Sequence, residues 1–242
     1  MPSRKSLSHK PGRKTRKNFI ILALAIGILF LGVVFYSMTQ GSDYDSLTSD
    51  AAPSTRTIDP SSSLNPNPVA ILGSSEAQVT IIEFGEFQCP SCGFWVATEG
   101  QKIRSNLIDT GRAKLVWIDF TFYGPDSIFA SEAAYAAGEQ GKFWEFHDYL
   151  FSKQGRPNDG WASKENLRKY AQAIGLDLAQ FDQVLESRKY VTLIQNNFES
   201  GKELGVRGTP TFFVIGPDGN SIKIDGPQPY SVFERAVESL GG

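Results

Sequence analysis

Val79-Thr80-Ile81-Ile82-Glu83-Phe84-Gly85-Glu86-Phe87-Gln88-Cys89-Pro90-Ser91-Cys92 is the stretch that decides how this chain folds. Its first six residues form a β-branched and aromatic run, apolar on both faces except at Thr80 and Glu83, which is the pattern of a central strand covered on two sides. The strand leads straight into the cysteine motif, and a helix of about 15 residues follows through Ile103 and Leu107 to a stop at Thr110-Gly111. Cys89 and Cys92 are the only cysteines in 242 residues. A chain with both thiols in one C-x-x-C carries the pattern of thiol–disulfide chemistry. The alternative, half of a zinc site, needs two more soft ligands. The two histidines, His9 in a basic tail and His147 further on, do not supply them. A static staple between residues three apart would restrict little unfolded-chain entropy.

Working outward, residues 113–120 read as a second strand, so that strand, helix and strand suggest a parallel βαβ unit. A helical block follows at about 127–140, 142–153, 163–174, 177–187 and 190–205, with Ser163 and Asp177 as N-caps and Gly175 as a break. Strand signal returns at Thr211-Phe212-Phe213-Val214-Ile215. The turn Gly216-Pro217-Asp218-Gly219-Asn220 folds it into a hairpin with residues 221–224. A helix over about 230–240, apolar at Val232, Phe233, Ala236, Val237 and Leu240, closes the chain. The folded part starts near Val69, a length that suits one domain with its own core.

A helix N-terminus offers backbone N–H groups without partners and a positive partial charge, so Cys89 at that point is expected as a thiolate nucleophile. Pro90 fits the first helical position, where its missing N–H is not needed. Cys92, nearly one turn further in and more buried, is expected to resolve the mixed disulfide. Glu83 interrupts an apolar strand. A carboxylate buried there has a raised pKa and can move protons near neutral pH, whereas on an edge strand it would reach water. Glu86 reads as an exposed loop charge. His147 shares a helix face with Phe143, Phe146, Leu150 and Phe151 and reads as a packed core histidine, ahead of a pH-sensitive or metal role. Trp144, Tyr149 and Trp161 read as core first and as a binding groove second.

The N-terminus carries a different signal. Residues 1–18 hold seven Lys and Arg and no acid, and residues 19–36 hold no charge. Eighteen helical residues span roughly 27 Å, close to the hydrocarbon thickness of a bilayer. The cations hold the N-terminus in the cytoplasm, which predicts a single-pass cell-membrane protein with its remainder extracytoplasmic. The flank Tyr36-Ser37-Met38-Thr39-Gln40 lacks a small-residue cleavage pattern, favouring an uncleaved signal anchor over a removed signal peptide. The expected layout is a cytoplasmic basic tail (1–18), a transmembrane signal anchor (19–38), a flexible linker (39–68) and the folded domain (69–242), its helical block at about 125–205. The linker is rich in Ser, Thr, Asp, Asn and Pro and reads as a tether that lets the domain roam several nanometres from the bilayer. Taking the seven N-terminal cations from the 24 Lys and Arg leaves 17 against 26 Asp and Glu, a balance of −9 for the rest. An acidic exported part argues against nucleic acid or anionic lipid as its partner and leaves lipid contact to the N-terminal helix.

The order of elements, the run from Glu83 to Cys92 near one end and Gly208-Thr209-Pro210-Thr211 near the other together resemble the DsbA-like branch of the thioredoxin superfamily, over residues 69–242, most of all its membrane-anchored bacterial members. The resemblance implies a thioredoxin-like α/β fold with a helical insertion. It places Glu83 beneath Cys92 as a proton-exchanging acid. It makes Pro210 a cis-proline against the cysteine pair, with the Thr209 backbone turned outward to pair with an extended substrate, and Gly208 giving that loop its freedom. The implied catalytic set is Cys89, Cys92, Glu83, Thr209 and Pro210, with no cofactor beyond the redox-active Cys89–Cys92 disulfide. The implied partners are exported proteins bearing thiols or disulfides and a DsbB-like or VKOR-like membrane protein for recycling. The best-known oxidising members have His where this chain has Ser91. Formation of disulfides is the favoured activity, ahead of reduction or isomerisation, and ahead of a copper-handling module using the two thiolates as soft ligands.

Overall fold

The computed structural model describes the backbone of residues 55–57 and all of residues 66–242. Among the described residues, six strands form one sheet: β1 (Thr55–Thr57), β2 (Ile71–Leu72), β3 (Val79–Gly85), β4 (Ala113–Asp119), β5 (Thr211–Ile215) and β6 (Asn220–Asp225), in the order β1-β6-β5-β3-β4-β2. β3 and β4 are parallel, joined through the helix that starts at Pro90, and β5 and β6 are the expected antiparallel hairpin. β3 therefore lies between two strands, not at an edge, as its two-sided apolar pattern requires.

Alternation along β3 sorts its side chains. Val79 and Ile81 join Trp95, Ile103, Leu107, Phe212, Phe233 and Val237 in a core on one face of the sheet. Ile82 and Phe84 join Val116, Ile118, Phe213 and Ile215 on the other. By the same period of two, Glu83 shares the face of Val79 and Ile81, the face covered by the helix that carries the cysteines.

That helix, α1, begins as Pro90–Trp95 and runs on through π-type turns at Val96–Gly100 and Arg104–Ile108, which flank Gln101–Ile103. It is longer than its sequence suggests and stops, as expected, before Gly111 at φ +74°. The insertion comprises α2 (Pro125–Gly138), α3 (Phe143–Ser152), α4 (Lys164–Ala173), α5 (Leu178–Glu186) and α6 (Val191–Glu203), and α7 (Tyr230–Ser239) closes the chain. α2 is the insertion's centre. Ala130, Ala133, Ala134, Ala136 and Ala137 are all buried, so it is enclosed on every side, and alanines let its neighbours approach closely. Ser163 and Asp177 cap α4 and α5 through the amides of Asn166, Ala179 and Gln180. Asp119 at the end of β4 ties sheet to insertion, accepting from Tyr135 Oη at 2.6 Å, Trp117 Nε1 at 3.1 Å and Asn197 Nδ2 at 3.2 Å.

Two departures lie at the N-terminal side. Thr55–Thr57 falls inside the stretch read as a tether yet pairs with β6, Arg56 opposite Ser221. The short β2 was hidden because two residues give no periodicity; it pairs with β4 and follows a turn capped by Asn67. The expected transmembrane anchor lies outside the described residues, and among those described no helix is long and apolar enough to cross a membrane.

Candidate active site

β3 ends at Gly85, where a Cβ would run into the Trp117 ring of the adjacent strand. Glu86, Phe87 and Gln88 then carry the chain to Cys89, the N-cap of α1, at φ −75° and ψ 117°, with Pro90 as the first helical residue. The Cys89 carbonyl accepts from the amides of Cys92 at 3.1 Å and Gly93 at 3.2 Å. Both cysteines are free thiols, Cys89 4 % and Cys92 0 % exposed. The Cys92 side chain, together with the Thr209 side chain and the backbone amides of Cys92 and Ser91, brings the Cys89 pKa down to about 6 against the opposing effect of burial. Cys92 moves the other way. Burial, then its bond to Cys89 and the negative charges of Cys89 and Glu83, pushes its thiol well above the ordinary range.

Glu83 is fully buried, paired across the sheet with Trp117 and Phe212, and neither carboxylate oxygen has a hydrogen-bond partner among the described residues. Burial, with a further push from the charge of Cys89, raises its pKa to about 8. On the opposite side of the pair, the Thr209–Pro210 peptide is cis. The Thr209 carbonyl accepts from Cys89 Sγ at 3.3 Å, so in this dithiol state it faces the cysteine, not outward. The Thr209 hydroxyl is buried without a hydrogen-bond partner of ordinary geometry, close enough to the sulfur to favour the thiolate. The loop is fastened to the hairpin by Gly226 N to Pro210 O at 2.9 Å and by Thr211 Oγ1 to Gly208 O at 2.8 Å. Gly208 is not among the glycines with positive φ, so the loop does not use its conformational freedom there. Beside the loop runs a groove of about 520 Å³ lined by Arg207, Thr209, Pro210, Lys223 and Asp225 among others.

The structure thus brings Cys89, Cys92, Glu83, Thr209 and Pro210 together. It corrects Glu86, which is 1 % exposed instead of a loop charge in water. Its Oε1 accepts from Gln88 N and its Oε2 from Phe122 N, both at 3.0 Å. Burial raises its pKa to about 7 despite those bonds. A carboxylate in a strand-to-helix loop looks solvated in sequence; only the fold shows that residues 120–124 close over it. Gln154, absent from the sequence reading, reaches back from just beyond α3 and donates to the carbonyls of Phe87 at 2.7 Å and Cys89 at 2.9 Å. A Cβ at Gly93 would collide with that amide. Gln88 is held in turn by Ser127 and Asn158. No local signal marks these residues, since each acts across more than 30 positions of chain. Phe94 and Phe122 are exposed apolar residues on α1 and on the loop held by Glu86. His147 is a buried member of an aromatic cluster with Phe87, Trp117 and Phe151, as its helix face predicts.

The fold is the thioredoxin fold with a helical insertion. A family model described as thioredoxin matches residues 65–239. The probable disulfide bond formation protein D of Bacillus anthracis is 32 % identical over 161 residues, which are 63 % of this chain and 74 % of that protein. The crystal structure of oxidised BdbD from Bacillus subtilis superposes with a TM-score of 0.65 at 25 % identity, over 74 % of this chain and 98 % of that one. The chain belongs to the DsbA-like branch of the thioredoxin superfamily. A further relative, Na(+)/H(+) antiporter NhaA 1 of Salinispora arenicola, is 38 % identical over 157 residues, 63 % of this chain. The chain spans only 22 % of that protein's length, and the match carries no transport activity to it.

Proposed function

We propose that this protein is an extracytoplasmic thiol:disulfide oxidoreductase that forms disulfides in exported proteins through Cys89 and Cys92. One observation carries the reading: two thiols one helical turn apart are driven in opposite directions, Cys89 down to about 6 and Cys92 well above its ordinary value. In the oxidised protein, a substrate thiolate attacks Cys89 Sγ and the Cys89–Cys92 bond breaks. Cys92 leaves with the electron pair and takes a proton from Glu83, which its burial keeps protonated at neutral pH. A second substrate thiolate then attacks the substrate sulfur of the mixed disulfide and expels Cys89. A thiol of low pKa leaves readily, and roughly nine-tenths of a group with that pKa is ionised at pH 7. Two electrons have passed from substrate to the pair, and the disulfide of a membrane redox partner takes them back. The same chemistry run backward would serve a reductase.

The extracytoplasmic location rests on the seven cations before the uncharged stretch 19–36. A Cys92→Ala variant in cells tests the whole reading, because it lacks the sulfur that can displace a bound partner from Cys89 within the protein. Substrates accumulate on Cys89 as adducts that a reductant releases. Alkylation of the wild type in intact cells finds the pair mainly as disulfide for the proposed oxidase and mainly as thiols for a reductase. Absence of any adduct, in either redox direction, overturns both.

A further inference from the structure

Four residues lining one small cavity carry buried polar atoms without hydrogen-bond partners among the described residues. They are Glu83, through both carboxylate oxygens, His147, through Nε2, and Trp95 and Trp144, through their indole Nε1. The cavity measures about 30 Å³, enough for one or two waters at roughly 10–15 Å³ each. Trp95, Leu115 and Trp144 form apolar walls, and Gln101, Arg104 and Asp148 form polar ones. Exposure rises along the row: Glu83 0 %, His147 3 %, Asp148 39 %. Asp148 Oδ1 lies 2.9 Å from His147 Nδ1, and Arg104 Nη1 donates to Asp148 Oδ2 at 2.7 Å. An ionised carboxylate can only accept, so in a neutral imidazole this contact puts the proton on Nδ1 and turns the Nε2 lone pair to the cavity. The charged and titratable groups around His147 in this cavity are Glu83 from β3, Arg104 from α1 and Asp148 from its own helix. β4 contributes the Trp117 ring, and the end of β3 leads to Phe87, both stacked edge-on to the imidazole.

We propose that this cavity is a water site and that His147 is a positioning residue that accepts the proton of Glu83 through that water and returns it. The proposal rests on the disulfide-exchange reading above. When the pair is reoxidised, Cys92 gives its proton to Glu83 as its sulfur attacks Cys89, and Glu83, neutral in the dithiol protein, gives up its own proton in the same step. The Cys89–Cys92 bond forms, the bond from Cys89 to the partner's sulfur breaks, and the partner leaves as thiolate with the electron pair. That proton passes through water to His147 Nε2, where Asp148 balances the imidazolium, and Glu83 stays neutral. When Cys92 next leaves as thiolate, the proton returns by the same path. An ionised Glu83 beside a newly formed thiolate is thereby avoided in both halves of the cycle.

The chain has two histidines, so imidazole nitrogen spectra of the full chain are readily assigned. We expect the Nδ1–H tautomer at His147 in the dithiol form and imidazole nitrogen signals at pH 7 that differ between disulfide and dithiol forms. Glu83→Gln should abolish that difference. The Nε2–H tautomer, signals blind to redox state, or a difference that survives in Glu83→Gln overturns the proposal. In single-turnover reoxidation by a small disulfide at pH 7, His147→Phe is expected to slow closure of the pair about tenfold. Added imidazole should restore the rate, and Glu83→Gln with His147→Phe should be no slower than Glu83→Gln alone. Multiplicative losses, or no rescue by imidazole, count against it. The spectra of the wild type and Glu83→Gln decide the matter even if His147→Phe does not fold. Normal adducts on Cys92→Ala with His147 nitrogen signals indifferent to redox state sink this proposal alone, whereas no adducts sink the exchange reading beneath it.

Discussion

Replacing Glu83 by Gln should make the reduced protein's stability less sensitive to pH, and the size follows from burial. The folded protein holds this carboxyl at a pKa of about 8 against 4.5 when free. The folded state therefore keeps it neutral while the unfolded chain ionises it. The stability linked to this proton is full below pH 4.5 and is lost as pH rises through 8. At 1.36 kcal/mol for each unit of separation, the loss is about 1 kcal/mol at pH 5 and about 3 kcal/mol at pH 7. The group is fully enclosed, so solvent screening does not reduce it. Gln keeps the size and the unpartnered burial but cannot ionise. Glu86, also raised by burial, titrates in the same window and is common to both proteins, so their difference isolates Glu83. Urea unfolding of both proteins, reduced, at pH 5, 6 and 7 gives that difference. It should move in favour of Glu83→Gln by about 2 kcal/mol between pH 5 and 7. Parallel pH profiles would refute the buried, neutral carboxyl and the proton role built on it.

Thiolate absorbance of the reduced protein near 240 nm should rise in a step centred near pH 6 from Cys89, and a single step near 9 would mean that the helix start does not tune the sulfur. Gln154→Ala removes two hydrogen bonds to the backbone entering α1. At about 1 kcal/mol each, unfolding should report a loss near 2 kcal/mol, and the Cys89 absorbance step should shift upward. A variant as stable as the wild type would show that Gln154 is not a clamp.

Most of the frame could be read from the chain, for a physical reason that differs by element. Val79 to Phe84 announced a central strand because both of its faces are apolar, and Ser163 and Asp177 announced helix starts because capping is a local hydrogen bond. The site was legible where its chemistry is local: Cys89 and Cys92 need only a helix N-terminus, and Glu83 needed only to interrupt a buried run. Thr209 and Pro210 came from family likeness instead, as periodicity does not bring a loop 120 residues away to Cys89. What stayed hidden depends on closure by distant chain. Glu86 is polar in a loop and became buried because Phe122 folds over it, and Gln154 gains meaning only once the insertion lies against the cysteine loop. His147 was read correctly as core, but its neighbour across the cavity, Glu83, lies on a strand 64 positions earlier.

The central claim is that Cys89 receives disulfides and Cys92 resolves them. Mixing each of the reduced variants Cys92→Ala and Cys89→Ala with oxidised glutathione at pH 7 and weighing the intact products tests it directly. The account predicts rapid glutathionylation of Cys89 in the first and an unmodified, buried Cys92 in the second. Equal modification of both cysteines, or none at Cys89, would contradict it.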